Sequence, residues 1–411
     1  MRPPAVPPAS VSSKLAIDGG RPIRTVPFPS WPCFDREEIE AVAAVLRSGR
    51  VNYWTGDEGR LFEQEFAAYT GTKHAIAVAN GTVSLELALC ALGIGPGDEV
   101  ITSSRTFIGS ASCIAMRGAI PVMADVDRES QTLTAETIRE AATPRTKAVV
   151  AVHLAGWPCD MDPIMKLAAE FNLAVVEDCA QAHGARYQGR PVGSVGHINA
   201  FSFCQDKIMT TGGEGGMVTT NDGALWTRAW SYKDHGKSYE AVYQREHPPG
   251  FRWLHESFGT NWRLTEMQSA LGRNLLRKLD ANVGRRRQFA GMLNVAFGGI
   301  SALRTTVPRD DIYHSYYKYY VFVHPERLRA DWHRDRIIAA IEAEGVPCYS
   351  GSCSEIYLEK AFDGIRPLHR LPVAKELGET SLMFLVHPTL LDSDLQDTIA
   401  AVQKVMEHAC C

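Results

Sequence analysis

Residues 148–184 read AVVAVHLAGWPCDMDPIMKLAAEFNLAVVEDCAQAHG, and the fold follows from how this stretch is parsed. AVVAVH (148–153) and LAVVEDC (173–179) are short, apolar, β-branched runs, while DPIMKLAAEFN (162–172) between them spaces its apolar residues at helical intervals. Two buried-type strands joined by one helix make a βαβ unit, the building block of a parallel sheet. The alternation continues outward in both directions. Further candidate strands are AIAVAN (75–80), EVITS (99–103), PVMADV (121–126), NAFSF (199–203) and GMVTT (216–220), with helices at VSLELALCALG (83–93) and IGSASCIAMRG (108–118). The expected class is α/β: a mostly parallel central sheet with helices on both faces. Its ligand belongs outside the strand carboxyl ends, where loops meet helix N-termini.

Downstream the pattern changes. Residues 263–297 carry long helical periodicity and read as a linker. HSYYKYYVFV (314–323) reads as a strand, RDRIIAAIEAEG (334–345) as a helix, and DSDLQDTIAAVQKVMEH (392–408) as a closing helix. The expected domains are a disordered tail at 1–13, a large domain at 14–280 that includes two N-terminal helices, and a smaller α+β domain at 281–411.

Composition narrows the function classes. The 411 residues are 45% hydrophobic and 22% charged, as in an ordinary globular protein. Forty-three basic and 47 acidic residues are interspersed to a net charge of -4, which leaves no broad basic surface for nucleic acid. No apolar run is long enough to span a bilayer, and MRPPAVPPASVSS lacks a signal peptide's apolar core, so a cytoplasmic location is expected. The ten cysteines are scattered, several of them in apolar segments, and lack paired zinc-finger spacing; neither a disulfide framework nor a metal site is expected.

The chemistry concentrates at strand ends. In FSFCQDKIMTTGGEGG (201–216), Lys207 stands between an aromatic strand and a glycine-rich turn, surroundings that fit a buried amine. Glu177 and Asp178 end a buried strand and need partners, and Gln181 and His183 follow in the same turn. Asn80, Gly81 and Thr82 open a helix whose first N–H groups and dipole suit a phosphate, although a threonine there is more often only a cap. Phe107 stands at the next strand-to-helix turn, where an aromatic is usually core but could lie on a flat ring. With Ser202 five residues before Lys207, these groups match what pyridoxal 5′-phosphate needs: a lysine for the Schiff base, an acid for the pyridine nitrogen and donors for the phosphate.

ANGTVSLELAL, IGPGDEVI, TFIGSAS, DVDRES, EDCAQAHGA, GRPVGSVGHINAFSF, the K-x-x-T-x-G-G-E-G-G stretch and GTNWRLTEMQSALG together resemble the DegT/DnrJ/EryC1/StrS family of sugar aminotransferases. The resemblance runs from KLAIDGG at residue 14 to the final helix. It implies a type I aminotransferase fold and a homodimer with a shared active site. By resemblance Lys207 is the Schiff-base lysine, Asp178 pairs with the pyridine nitrogen, Gln181 contacts the ring or its O3′, and Phe107 stacks on it. Gly81, Thr82 and Ser202 hold the phosphate, joined by Asn261 of the neighbouring subunit. Cys204, Gln205 and Asp206, before the lysine, depart from many relatives and carry no assigned role.

The reaction implied is transfer of nitrogen from glutamate or glutamine to a keto-sugar, a nucleotide-linked 3-keto- or 4-keto-6-deoxyhexose. A keto-inositol is the rival acceptor, and a lyase resembling aminohydroxybenzoate synthases is a second alternative. Trp54, Trp157, His235, Arg263, His314, Tyr316 and Tyr317 are candidates for the sugar-side wall, each with an ordinary packing role as the competing account.

Overall fold

The computed structural model describes residues 14–411; the tail expected at 1–13 lies outside the described residues. In chain order the large body contains α1 (Arg36–Ser48), α2 (Glu58–Thr70), β1 (His74–Val78), α3 (Gly81–Ala91), β2 (Glu99–Ser103), α4 (Gly109–Met116), β3 (Ile120–Ala124) and α5 (Ala135–Ala141). It continues through β4 (Thr146–Val152), α6 (Met161–Phe171), β5 (Ala174–Asp178), the two-residue strands β6 (Arg186–Tyr187) and β7 (Arg190–Pro191), β8 (Ile198–Ser202), β9 (Gly216–Thr220) and α7 (Gly223–Lys233).

Seven strands form one sheet in the order β1-β9-β8-β5-β4-β2-β3. Neighbours from β8 to β3 pair parallel, and β9 alone runs against both β1 and β8. The fold is thus the expected α/β class with a mostly parallel sheet. Every residue of β2, β8 and β9 is buried, because helices cover both faces; that is why these strands read as continuous apolar runs. Helix starts are set locally. The Asn80 side chain accepts the Val83 N–H at the head of α3, and Asn172, with φ 54°, ends α6 in the left-handed region.

After α8 (Tyr239–Tyr243) comes α9, Glu266–Phe297, a 32-residue helix opened by a Thr265–Gln268 capping box. The segment expected as a linker is a rigid rod shared by two cores. Leu271, Leu275, Leu279 and Val283 pack with Phe62, Phe66 and Phe203 of the large body, whereas Phe289, Leu293 and Phe297 pack with the second body.

The second body contains β10 (Leu303–Thr305), β11 (Ile312–Tyr313), β12 (Tyr319–Val323), α10 (Arg334–Ala343), α11 (Pro372–Thr380), β13 (Ser381–Phe384) and α12 (Asp392–Ala409). Its antiparallel sheet runs β10-β12-β13, while β11 pairs with β6 of the large body. The strand expected from 314 begins only at Tyr319. Before it, Ser315 N donates to Gly156 O (3.0 Å) and Tyr317 N to Ala155 O (2.8 Å), so the chain is tied to the large body instead of extending the sheet. Residues 15–28, grouped with the large domain in the sequence reading, pack on the second body. Leu15 joins that core, and the Glu344 carboxylate accepts the N–H groups of Ala16 (2.8 Å) and Ile23 (3.1 Å).

Candidate functional site

The carboxyl ends of β5 and β8 and the starts of α3 and α4 meet at one place. Asp178, the last residue of β5, is buried; its Oδ2 accepts from Ser110 Oγ (2.7 Å) on α4 and its Oδ1 from Ala180 N (3.1 Å). Burial pushes the Asp178 carboxyl up; the hydrogen bonds from Ser110 and Ala180 and the charge of Lys207 oppose this but do not cancel it. A cation placed beside Asp178 would be stabilised by it. Thr106 Oγ1, 2.9 Å from Ser110 Oγ, extends the polar chain. Ser110 was not singled out from the sequence, although its place three residues after Phe107 at a helix start was the available signal.

The phosphate candidates are also brought together. Ser84 Oγ donates to Phe201 O (3.0 Å), pinning α3 to the end of β8. Gly81 lies so close to Ser202 that a Cβ would collide with the serine side chain; only glycine allows this approach. The N–H groups of Gly81 and Thr82, first in α3, have no partner within the helix. Gly109 brings the neighbouring turn near: a Cβ there would lie 3.0 Å from the Phe107 ring and 3.4 Å from Thr82 Oγ1. Phe107 itself is 67% exposed, an aromatic face open to a ligand.

Lys207 is half-buried, with Nζ 4.9 Å from the centroid of the Tyr317 ring and 4.0 Å from Asp206 Oδ1. Its carbonyl accepts from Trp31 Nε1 (2.9 Å). Asp206, given no role from the sequence, accepts from the Tyr317 hydroxyl and lies 3.9 Å from Lys318 Nζ. Gln181 Oε1 accepts from Ala155 N (2.8 Å), which leaves its amide N–H groups as donors.

Glu177 serves the other side of β5. Its Oε2 accepts from Gly193 N (2.9 Å) and its Oε1 from Val195 N and Gly196 N (both 2.7 Å). The Cys159 N–H points at His153 Nδ1 (3.0 Å), which leaves Nε2 as the nitrogen that donates to Glu177 Oε2 (2.9 Å). Burial alone would push Glu177 up, but the bonds from His153, Gly196 and Gly193 hold it below the usual carboxylate range. Cys179 completes a cluster of three possible ligands within 4.8 Å, yet burial pushes its thiol up to about 12 and the other two are already hydrogen-bonded. This knot has the chemistry of a brace. His183 is a buried filler against Phe201 and Phe203, its pKa pushed down to about 3 by burial first and by the charge of Lys207 second.

Apart from Tyr317, which packs against Lys207, the sugar-wall candidates fall into two groups. Trp157, His314 and Tyr316 are buried together, with the His314 and Tyr316 rings stacked 3.7 Å apart. Trp54 Nε1 and Arg263 Nη1 converge on Asp234, at 2.8 and 2.6 Å. His235 is exposed beside them, its N–H donating to Thr260 O (2.9 Å). Asn261 is exposed too, in a backbone bridge with Asp234, and Ala79 N donates to Trp262 O (2.9 Å) along the edge of β1.

The model of the DegT/DnrJ/EryC1/StrS aminotransferase family matches residues 32–403. A solved aminotransferase from Psychrobacter cryohalolentis superposes with a TM-score of 0.91 at 57% identity, over 93% of this chain and 99% of that one. The spore coat polysaccharide biosynthesis protein SpsC of Bacillus subtilis is 38% identical over 92% of this chain and 97% of its own. The dTDP-3-amino-3,4,6-trideoxy-alpha-D-glucose transaminase of Streptomyces venezuelae is 37% identical over 90% and 93%.

Proposed function

Because the chain belongs to the DegT/DnrJ/EryC1/StrS aminotransferase family, whose enzymes work with pyridoxal 5′-phosphate, we propose that it moves an amino group from glutamate or glutamine to a nucleotide-linked keto-sugar. The observation that carries this reading is Asp178: a buried strand-end carboxylate with only two neutral donors, raised by burial and lying in the field of Lys207. Such a group favours a protonated ring nitrogen. The surrounding residues fit the cofactor, since Gly81, Thr82 and Ser202 make a cradle of N–H and hydroxyl donors that a Cβ at Gly81 would fill.

When bound, the cofactor supplies an aldehyde that accepts nitrogen from one substrate and passes it to the other. Lys207 would present the amine that holds it, and its free amine would serve as the base that moves the proton at the reacting carbon. Asp178 keeps the ring nitrogen protonated, with Ser110 orienting its Oδ2. Gln181, whose Oε1 is taken by Ala155 N, would have its amide N–H free for the ring hydroxyl, and the exposed Phe107 would lie on the ring. Asn261 reaches the phosphate of a neighbouring subunit in a homodimer. Trp54, His235 and Arg263 accompany it toward that subunit's sugar pocket, and Trp157, His314 and Tyr316 shape the wall within their own chain. Support for a dimer comes from the arm between α8 and α9, where Phe251, Trp253 and Phe258 are 75, 76 and 99% exposed.

The test is to load the protein with cofactor, treat it with glutamate or glutamine, and offer a panel of nucleotide-linked 3-keto- and 4-keto-6-deoxyhexoses beside keto-inositols. The expected result is 2-oxo acid from the first step and an aminated nucleotide sugar by mass in the second. Amination confined to keto-inositols would move the substrate class, and no 2-oxo acid at all would overturn the aminotransferase reading.

A further inference from the structure

Asp234 closes α7, and its carboxylate is fully buried (0% exposed). Oδ1 accepts from Lys237 Nζ (2.9 Å) and from Arg263 Nη1 (2.6 Å), while Oδ2 accepts from Trp54 Nε1 (2.8 Å). Lys237 Nζ also lies 4.3 Å from the centroid of the Trp54 ring. A buried charge is tolerated when it is paired and hydrogen-bonded, and this one is held by two cations and an indole. Burial alone would push Asp234 up, but the bond from Lys237 and the charges of Lys237, Arg263 and Lys233 hold it below the usual carboxylate range.

Two of these donors stand at the two ends of one segment. Lys237 opens the stretch that leads out through α8, and Arg263 closes it before α9. Between them lie Phe251, Trp253 and Phe258, 75, 76 and 99% exposed. The backbone is tied at the same root: Asn261 bridges to Asp234, Thr260 N donates to Tyr232 O (2.8 Å) and Trp262 N to Lys233 O (3.1 Å). Those bonds fix the peptide groups, and the one carboxylate fixes the side chains at both ends. Asn261, two residues before Arg263, is held at this root with its side chain exposed.

An arm that exposes three large aromatics needs another surface to cover it, and a second copy of this chain supplies one. A residue at the root of such an arm is aimed by whatever joins the arm's two ends. We propose that Asp234 is a positioning residue that acts across the subunit boundary: by clamping Lys237 and Arg263 together it sets Asn261 for the cofactor phosphate of the neighbouring subunit. This rests on the aminotransferase and dimer reading above.

The test compares Asp234→Asn, which keeps the size and loses the charge, with Lys237→Gln, which opens one end only. In the cofactor-free protein both should speed hydrogen exchange across residues 237–263 and leave the strands around Lys207 unchanged. Cofactor affinity, read from the visible absorption that depends on Lys207, should fall by about tenfold or more in Asp234→Asn and by about threefold in Lys237→Gln. Mixed dimers then show which site Asp234 serves. Asp234→Asn chains are paired with Lys207→Ala chains through two affinity tags, so that the one competent site combines Lys207 of the first chain with the intact arm of the second. That site should bind cofactor with wild-type affinity and turn over at the wild-type rate per competent site. Lys237→Gln carries the same comparison where Asp234→Asn does not fold. Affinity that stays weakened in the mixed dimer assigns Asp234 to its own chain and overturns the proposal, as does affinity within about twofold of wild type in both single variants. A monomer by sedimentation, in wild type or in Asp234→Asn, overturns it too, because no neighbouring site is then being served. If Lys207→Ala keeps the visible absorption of the wild type, the aminotransferase reading fails by itself, whatever hydrogen exchange shows of the arm.

Discussion

Two adjacent carboxylates end β5 and meet opposite fates. Side chains of successive strand residues point to opposite faces, so Glu177 and Asp178 enter different surroundings one residue apart. Glu177 accepts three backbone N–H groups and one imidazole N–H, and is held below its ordinary range. Asp178 accepts one hydroxyl and one N–H, and is raised. The first face is complete by itself and braces the loop at 193–196. The second is under-paired in the protein alone, as suits a group whose partner arrives from outside.

The sharpest way to break this comparison is Asp178→Asn. Removing the charge should lower kcat by about 10³-fold, the scale of losing a placed electrostatic group in a dry site. The cofactor-free protein should melt no lower than wild type, since a disfavoured buried charge is gone. A steady-state assay with a melting curve checks both, and a variant that keeps activity or loses its fold refutes the contrast.

Glu177→Gln should do the reverse. Exchanging a buried carboxylate that accepts four hydrogen bonds for an amide with one accepting oxygen is expected to cost about 3 kcal/mol or more of stability. Turnover per folded molecule should change little, because the residue faces away from Lys207. Denaturant unfolding measures the first and active-site titration the second.

Acid provides a third test, with opposite signs for the two groups. Glu177 is depressed, so its contribution is complete above the unfolded glutamate value of about 4.3 and is lost as pH falls toward its folded value. Asp178 is raised, so its ionisation costs stability as pH climbs above the unfolded aspartate value of about 3.9. Urea midpoints across this range should lose part of their acid slope in Glu177→Gln, whereas Asp178→Asn should remove the opposing component. Identical slopes in both variants would show that the faces do not differ.

The smallest expected effect is Ser110→Ala. It removes one hydrogen bond to a charged acceptor, worth about 1.5–3 kcal/mol, and should raise Asp178 further. Cofactor affinity, followed by equilibrium dialysis, should fall more than thermal stability does. Equal losses would make Ser110 a packing residue only.

Much of this was legible in the chain itself. EVITS and GMVTT are strands over the residues expected, 99–103 and 216–220, because apolar β-branched runs between turn signals leave few alternatives. HSYYK at 314–318 was not legible as a crossing segment, because the N–H groups of Ser315 and Tyr317 are taken by Gly156 and Ala155, which no local pattern reveals. The aromatic-lysine-glycine pattern singled out Lys207, yet nothing nearby announced Asp206 as the partner of Tyr317, 111 positions on.

By itself, then, the sequence determined the order and type of elements, the strand ends that carry chemistry and the residues able to do it. Those properties depend on periodicity, capping and residue type, which act within a few positions. Tertiary structure alone decided which carboxylate is satisfied and which is left waiting. Ser110 reaches Asp178 across 68 positions, and His153 and the 193–196 loop close on Glu177. It also gathered Trp31, Asp206, Arg286 and Lys318 around one cavity. The physical reason is that burial and pairing depend on what packs against a side chain, and here those neighbours come from parts of the chain brought together only by folding.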